Sequence, residues 1–434
     1  MTKLFIYNPL KFGLTEETEE EKILFFWPET TPLDTKMNDI GLCEALITFS
    51  REFSKVPTSS ARTERMIYLL LEPEPGWWVV MAMSNPRVVS ISTDKEKAGT
   101  EEVQYKHDDL DEKALLAALK RVYVQFKIFN GSFENFIVTH KESFREKLSL
   151  WFNHSIVRMK PDIEKADIFT CLDGIHFLPV DKNVYLKIQS FINETEKTWD
   201  QILYSTFMFK HYLVWSGLEQ EEMRAIYRYV EDICKRERES NSKKQDRFVV
   251  QSTDPDELLP SNPGIAKPVY LGTDNRLSYL LIYQSQDCSC AFLVSNKANN
   301  LNTTFVNNLE KLIKPHLNYL APIISEHSKK IGTGGEEFKY LYFNHMNLAL
   351  KTSLDREHIT TDISRVLNKM HADFEMYPSL SEILINTQTE KWIAGKKSDQ
   401  REFFILFEKQ ANLLEINDEV KKLVAAYFRD IFID

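Results

Sequence analysis

The chain opens with two short apolar strands and an amphipathic helix, and that order restricts what it can build. Lys3-Leu-Phe-Ile-Tyr7 and Lys22-Ile-Leu-Phe-Phe-Trp27 read as strands, separated by the acidic run Glu16–Glu21. Leu42, Leu46, Phe49 and Phe53 follow at steps of four, three and four, which puts them on one face of a helix. Strand, strand, helix begins a small sheet flanked by helices. A scaffold of that kind works by docking on other proteins, and the rest of the chain offers no chemistry against this.

At 434 residues the chain exceeds the roughly 250–300 that one core spans, so two to four domains are expected. Hydrophobic residues at 43% are ample for packed cores, and a net charge of −10 disfavours a nucleic-acid partner. No apolar run reaches the roughly 18 residues of a membrane span, and the N-terminus enters a strand without a cleavage site. Five cysteines, odd and sparse, fit reduced thiols, so the expected location is cytoplasmic. Cys288-Ser-Cys290 is the only close pair; without a second pair or a histidine pattern it predicts no metal site.

Three architectural units are expected, each an antiparallel sheet flanked by helices, so the fold class is α+β. The first covers 1–158: strands at Glu64–Leu71 and Trp77–Met83 joined by Glu72–Gly76, a polar mobile loop over Asn85–Lys106, and helices over Asp111–Phe129 and Ser132–Ile156. The second covers 165–234, with a helix at Tyr185–Ile192 and a hairpin turning at Lys210-His211. A second helix there buries Met223, Ile226, Tyr227, Val230 and Ile233. The charged stretch Lys235–Gln245, with Pro255, Pro260 and Pro263, reads as the main linker, 235–267. The third covers 268–434, with strands at Leu277–Tyr283, Cys290–Val294, Phe338–Phe343, Asn347–Ser353, Trp392–Gly395 and Glu402–Phe407. Its helices are expected over Phe305–Leu320, Thr360–Asp373 and Glu419–Phe428.

A search for reactive groups finds none. Gly332-Thr-Gly-Gly335 precedes two glutamates, which would repel a phosphate, and Gly395-Lys396-Lys397 lacks the upstream glycine of a phosphate loop. None of the ten histidines has zinc-hydrolase spacing, and there is no Gly-x-Ser-x-Gly elbow. Cys43 reads as a small packing residue rather than a nucleophile. The Glu16–Glu21 run reads as a solvated connection, with a cation or basic partner as the other reading. The basic cluster Lys235–Lys244 is a candidate for acidic lipid, diluted by Glu237 and Glu239. Strand alternation turns one of Trp77 and Trp78 inward and the other outward, either as an interface anchor or under one of the unit's own helices. Gly41 and Ala45, four apart, allow close approach of another backbone, either the helix's own sheet or a sister domain.

Several segments are similar to one family. Phe5-Ile-Tyr-Asn-Pro9, Glu21-Lys-Ile-Leu-Phe-Phe26, Asn38-Asp-Ile-Gly-Leu-Cys-Glu-Ala45 with Phe49, and Trp78-Val-Val-Met81 with Asn85-Pro86 resemble the Ccz subunits of Mon–Ccz vacuolar fusion complexes. So do Phe177-Leu-Pro-Val-Asp181, Ile188-Gln-Ser-Phe-Ile-Asn193 and Val214-Trp-Ser-Gly-Leu-Glu-Gln220. Gly395-Lys-Lys-Ser-Asp-Gln-Arg-Glu402 and Asn417-Asp-Glu-Val420 complete the set. The matches follow one order along nearly the whole chain.

The resemblance implies three longin domains and pairing with a Mon subunit. It implies guanine nucleotide exchange on the late-endosomal and vacuolar Rab GTPase, the seventh-class Rab, held nucleotide-free on a composite platform of first longin domains. No cofactor and no catalytic or metal-binding residue is implied. Gly41, Leu42, Ala45, Phe49, Trp77 and Trp78 become the candidate partner or GTPase interface. The helix bearing the first four meets the sister longin domain or packs beneath the platform, and one of the tryptophans is placed nearer the surface. The partner set admits a third, regulatory subunit and peripheral contact with acidic endosomal membrane. The segment after Ile233 is shorter than the insert members often carry, so no role of that insert is transferred. A longin adaptor or tether without exchange activity is the alternative.

Overall fold

The computed structural model describes residues 1–54, 58–91, 101–105, 111–240, 246–250, 264–272, 274–296, 301–332, 339–357, 359–387, 391–407 and 412–427. They form two compact units, Met1–Phe126 with Ser132–Leu172, and Lys127–Gly131 with Asp173–Asp434.

The first unit runs β1 (Lys3–Tyr7), β2 (Ile23–Trp27), α1 (Leu33–Phe53), β3 (Ser60–Arg62), β4 (Met66–Glu74) and β5 (Trp77–Ser84). β6 (Arg87–Ile91), β7 (Glu101–Tyr105), α2 (Glu112–Asn130), α3 (Phe133–His140), α4 (Phe144–Lys165) and α5 (Ile168–Leu172) follow. Its main sheet has the order β2-β1-β5-β4-β3, every pair antiparallel. The strands are continuous apolar runs because helices cover both faces. Leu4, Ile6, Ile67, Leu69, Trp77, Val79 and Met81 point to the side of α2, α3 and α4. Phe5, Tyr7, Tyr68, Leu70, Trp78, Val80 and Ala82 point to α1.

Three expectations in this unit need correction. The helix expected over Ser132–Ile156 is two helices, broken at Lys141, whose φ of +44° is not helical. α4 continues to Lys165, so the boundary expected at 158 falls inside a helix. The polar stretch expected to be a mobile loop contains the antiparallel pair β6 and β7; residues 92–100 and Lys106 lie outside the described set. The hairpin between β4 and β5 is as expected. Gly76 takes a φ of +78° there, and the Glu72 carboxylate accepts its backbone N–H at 2.9 Å.

The second unit runs β8 (Ile175–His176), α6 (Lys182–Thr198), β9 (Ile202–Phe209), β10 (Tyr212–Ser216), α7 (Gln220–Ser240), β11 (Arg247–Phe248), β12 (Ala266–Leu271), β13 (Arg276–Ser285), β14 (Cys288–Ser295) and α8 (Thr303–Gly332). β15 (Lys339–Asn344), β16 (Ala349–Thr352), α9 (Thr361–Met376), β17 (Glu382–Asn386), β18 (Trp392–Ser398), β19 (Arg401–Phe407) and α10 (Leu413–Tyr427) complete it. One sheet has the order β10-β9-β14-β13-β11, with β12 also on β13. The other has the order β17-β18-β19-β15-β16-β8.

The sheets do not divide where the composition suggested. β9 pairs antiparallel with β14 across the segment expected to be a linker, Phe207 opposite Cys290, so 235–267 lies within one sheet's connectivity. A charged, apolar-poor stretch signals solvent exposure; it carries no information about which strands pair across it. Moreover, α7 runs on to Ser240, through the first part of that stretch. Residues 241–245 of the basic cluster, the prolines at 255, 260 and 263, and residues 333–335 of the glycine cluster lie outside the described set. α6 and α8 cover one face of the middle sheet with Ile188, Phe191, Leu309, Ile313 and Leu317. α7 covers the other, where the Cys234 thiol donates to Ser289 Oγ at 3.3 Å. The last sheet carries α10 on one face, through Ile416 and Val420, and α9 on the other, through Met370 and Phe374 against Gly395.

Candidate protein-docking surface

α1 has two apolar stripes, and among the described residues only one is packed inside the fold. Ile40, Cys43 and Ile47 recur at three and four residues and are buried against Phe5, Phe26, Tyr68, Trp78 and Val80. Asp39 lies on the same side, where Lys3 Nζ donates to Asp39 Oδ2 at 2.6 Å, so the buried charge is paired. Burial, together with the nearby carboxylates of Asp39 and Glu44, pushes the Cys43 thiol up to about 12. Cys43 is therefore protonated and packed, as expected for a core residue.

The other stripe faces out. Phe49 is 63% exposed and Phe53 74%; their rings lie against each other, 4.8 Å between centroids. Leu42 is exposed and Leu46 half-buried. Gly41 and Ala45 are also exposed, and a Cβ placed on Gly41 would meet nothing within 4 Å. The opening sequence pattern thus marks the outer side of α1, not the side that closes on the sheet. Small residues between large apolar ones leave a surface on which another backbone can lie closely.

Residues 1–131 match the family described as the first longin domain of INTU, CCZ1 and HPS4. Residues 202–314 and 334–423 match Intu longin-like domains 2 and 3. A vacuolar fusion protein CCZ1 homolog of Nematostella vectensis is 35% identical over 459 residues, covering 100% of this chain and 97% of that one. The homolog of Xenopus tropicalis is 32% identical over 467 residues, with 100% and 97% covered. That of Dictyostelium discoideum is 30% identical over 447 residues, with 99% and 97% covered. The chain belongs to the vacuolar fusion protein CCZ1 family.

This CCZ1-family chain has three longin-type domains, and the second match begins at β9 and ends in α8, on both sides of 235–267 as the strand pairing requires. Among the site residues expected from sequence, Gly41, Leu42, Ala45 and Phe49 come together on the outer side of α1. Trp77 and Trp78 do not join them. Both are buried, because helices cover both faces of β5. Trp77 stacks on Phe133 at 4.6 Å, and its indole N–H donates to Glu134 Oε1 at 2.9 Å. Burial alone would raise the Glu134 carboxyl, but hydrogen bonds from Lys11 and Trp77 bring it below the usual range. Trp78 lies under α1, with the Arg51 guanidinium over its ring at 5.7 Å. The placement of either tryptophan near the surface is therefore withdrawn. The Glu16–Glu21 run is a short 3-10 helix whose described glutamates are largely exposed, a solvated connection.

Sequence reading named no metal ligand, yet the third domain gathers three potential ones. His345 follows β15, His371 is on α9 and Glu402 is on β19. Glu402 is 1% exposed, and its two oxygens lie 2.9 Å from His345 Nε2 and 2.8 Å from His371 Nδ1. Burial raises the Glu402 carboxyl, and the two imidazoles more than reverse that, holding it at about 2. The three residues are 57 and 31 positions apart in the pairs that touch, so no local motif announces them.

Proposed function

We propose that this chain is one subunit of a heterodimeric guanine nucleotide exchange factor for the late-endosomal and vacuolar Rab GTPase, acting in endosome maturation and vacuole or lysosome fusion. The observation that carries the reading is the outer face of α1, an apolar stripe on the first longin domain that the described residues leave exposed at Leu42, Phe49 and Phe53. Membership of a family whose relatives are named vacuolar fusion proteins supports the direction. The proposed partner is a Mon subunit, meeting the face formed by Gly41, Leu42, Ala45 and Phe49. Burying a phenylalanine side chain contributes about 1.5–3 kcal/mol, so Phe49 and Phe53 together supply an aromatic anchor, with the rest of the interface needed to offset the cost of association.

The exchange mechanism requires no reactive group. The composite surface binds the empty Rab better than the loaded one, and by reciprocity weakens nucleotide binding to the Rab. A thousandfold faster release corresponds to about 4 kcal/mol of barrier, within reach of one well-packed interface. Among the described residues no helix is long and apolar enough to cross a membrane, so the proposed action on late endosome, lysosome or vacuole is by peripheral recruitment.

Release of a fluorescent guanine nucleotide from several purified Rabs tests this. The chain alone is expected to be inactive, and the dimer with its Mon partner to accelerate release from the late-endosomal Rab only. Equal release with and without the pair would leave a longin adaptor or tether.

A further inference from the structure

We propose that His345, His371 and Glu402 form a binding site for a divalent transition cation of the zinc type, which ties three elements of the third longin domain together. Two imidazoles and one carboxylate are an established zinc donor set, leaving a fourth position for water. The donor atoms all lie within 4.8 Å of one another. They come from three directions: the turn after β15, the middle of α9 and the start of β19. Glu402 Oε1 lies 2.9 Å from His345 Nε2 and Oε2 lies 2.8 Å from His371 Nδ1, so the carboxylate already spans the two imidazoles. An ion on one of its oxygens would draw the rings toward the roughly 3.3 Å edges of a tetrahedral zinc site.

Two further features fit a cation. The second nitrogen of His371, Nε2, faces the Glu375 carboxylate at 3.5 Å. An outer carboxylate behind a histidine is the usual way a ligating ring is oriented. The site is also reachable: Glu402 and His371 are enclosed, but the His345 side chain is 30% exposed, so an ion and its water ligand have an entry side. The anchoring is firm, since the His345 backbone N–H donates to the Gln400 carbonyl at 2.8 Å. One carboxylate and two neutral imidazoles around a divalent ion leave a single positive charge, with Glu375 adjacent to it.

The test uses the full chain, freed of metal by a chelator and exchanged into chelator-free buffer, then titrated with Zn²⁺ by calorimetry. One equivalent is expected to bind and to raise the melting temperature. E402Q keeps the shape of the buried group and H345A removes a partly exposed ligand without opening the core. Each is expected to lower the affinity at least tenfold and to abolish the thermal shift, with E375A weakening it less. Cobalt in place of zinc is expected to give d–d bands without thiolate charge transfer, which separates this site from the five cysteines. Absence of saturable zinc binding overturns the proposal and leaves a hydrogen-bonded triad. So does one equivalent bound with unchanged affinity in H345A, the variant that remains readable if E402Q fails to fold.

Discussion

α1 and α9 do the same structural task in different domains, each lying across one face of an antiparallel sheet, yet they finish differently. α9 buries Ile363, Leu367, Met370 and Phe374 and turns Thr361, Asp362, Arg365 and Lys369 outward. α1 buries Ile40, Cys43 and Ile47 but turns Leu42, Phe49 and Phe53 outward. Most of α9 therefore has one apolar side and is complete, with Met376 exposed only at its end. α1 has two apolar sides, and water is a poor companion for the second. Equivalent position in a longin-type layer does not decide whether a helix is core or interface; the chemistry of its far side does.

The largest expected effect lies at Ile47, on the buried side of α1. Ile47→Asp places an unpaired charge in the core beneath α1 and is expected to cost about 4 kcal/mol or more, read as loss of the cooperative thermal transition. Leu367→Ala in α9 is expected to cost about 2–5 kcal/mol by leaving a cavity, with no direct effect on partner binding. Phe49→Asp should leave the unfolding free energy within about 0.5 kcal/mol of the parent, because the site is open to water. The same change should weaken partner binding by about 2 kcal/mol, roughly thirtyfold, in a pull-down or titration. If Phe49→Asp unfolds the chain while Ile47→Asp does not, the two faces of α1 have been exchanged.

A separate effect concerns pH and sets buried surface apart from open surface. Burial, with the charges of Arg228 and His211 nearby, brings the His176 imidazole from 6.5 down to about 4. Between those values the unfolded chain binds a proton that the folded chain does not. The contribution to stability is therefore complete above pH 6.5 and is lost as pH falls toward about 4. His176→Gln should flatten that dependence in melts run across the range, while Phe49→Asp should not alter it.

Much of the fold is legible in the sequence because its strands are covered on both sides. β1 and β5 are unbroken apolar runs of strand length, and the stripe of α2 at Leu115, Leu119, Val122 and Phe126 has one consistent face, all of it buried. The candidate surface was legible only as a pattern. Ile40, Cys43 and Ile47 are spaced as helically as Leu42, Leu46, Phe49 and Phe53, and periodicity finds a face without saying what covers it. Trp77 and Trp78 misled for a related reason: alternation sends them to opposite sides, but a helix waits on each. The strand partners across 235–267 and the convergence of His345, His371 and Glu402 depend on contacts far apart in the chain, which local spacing does not encode.

Although β10 and β14 are both seated on β9, the stretch between α7 and β12 is itself stitched to the sheet: β11 pairs with β13, and Phe248 and Val249 are buried. An engineer inserting a tag there has to leave that stitch, Arg247–Val249, intact if the middle longin domain is to keep its shape.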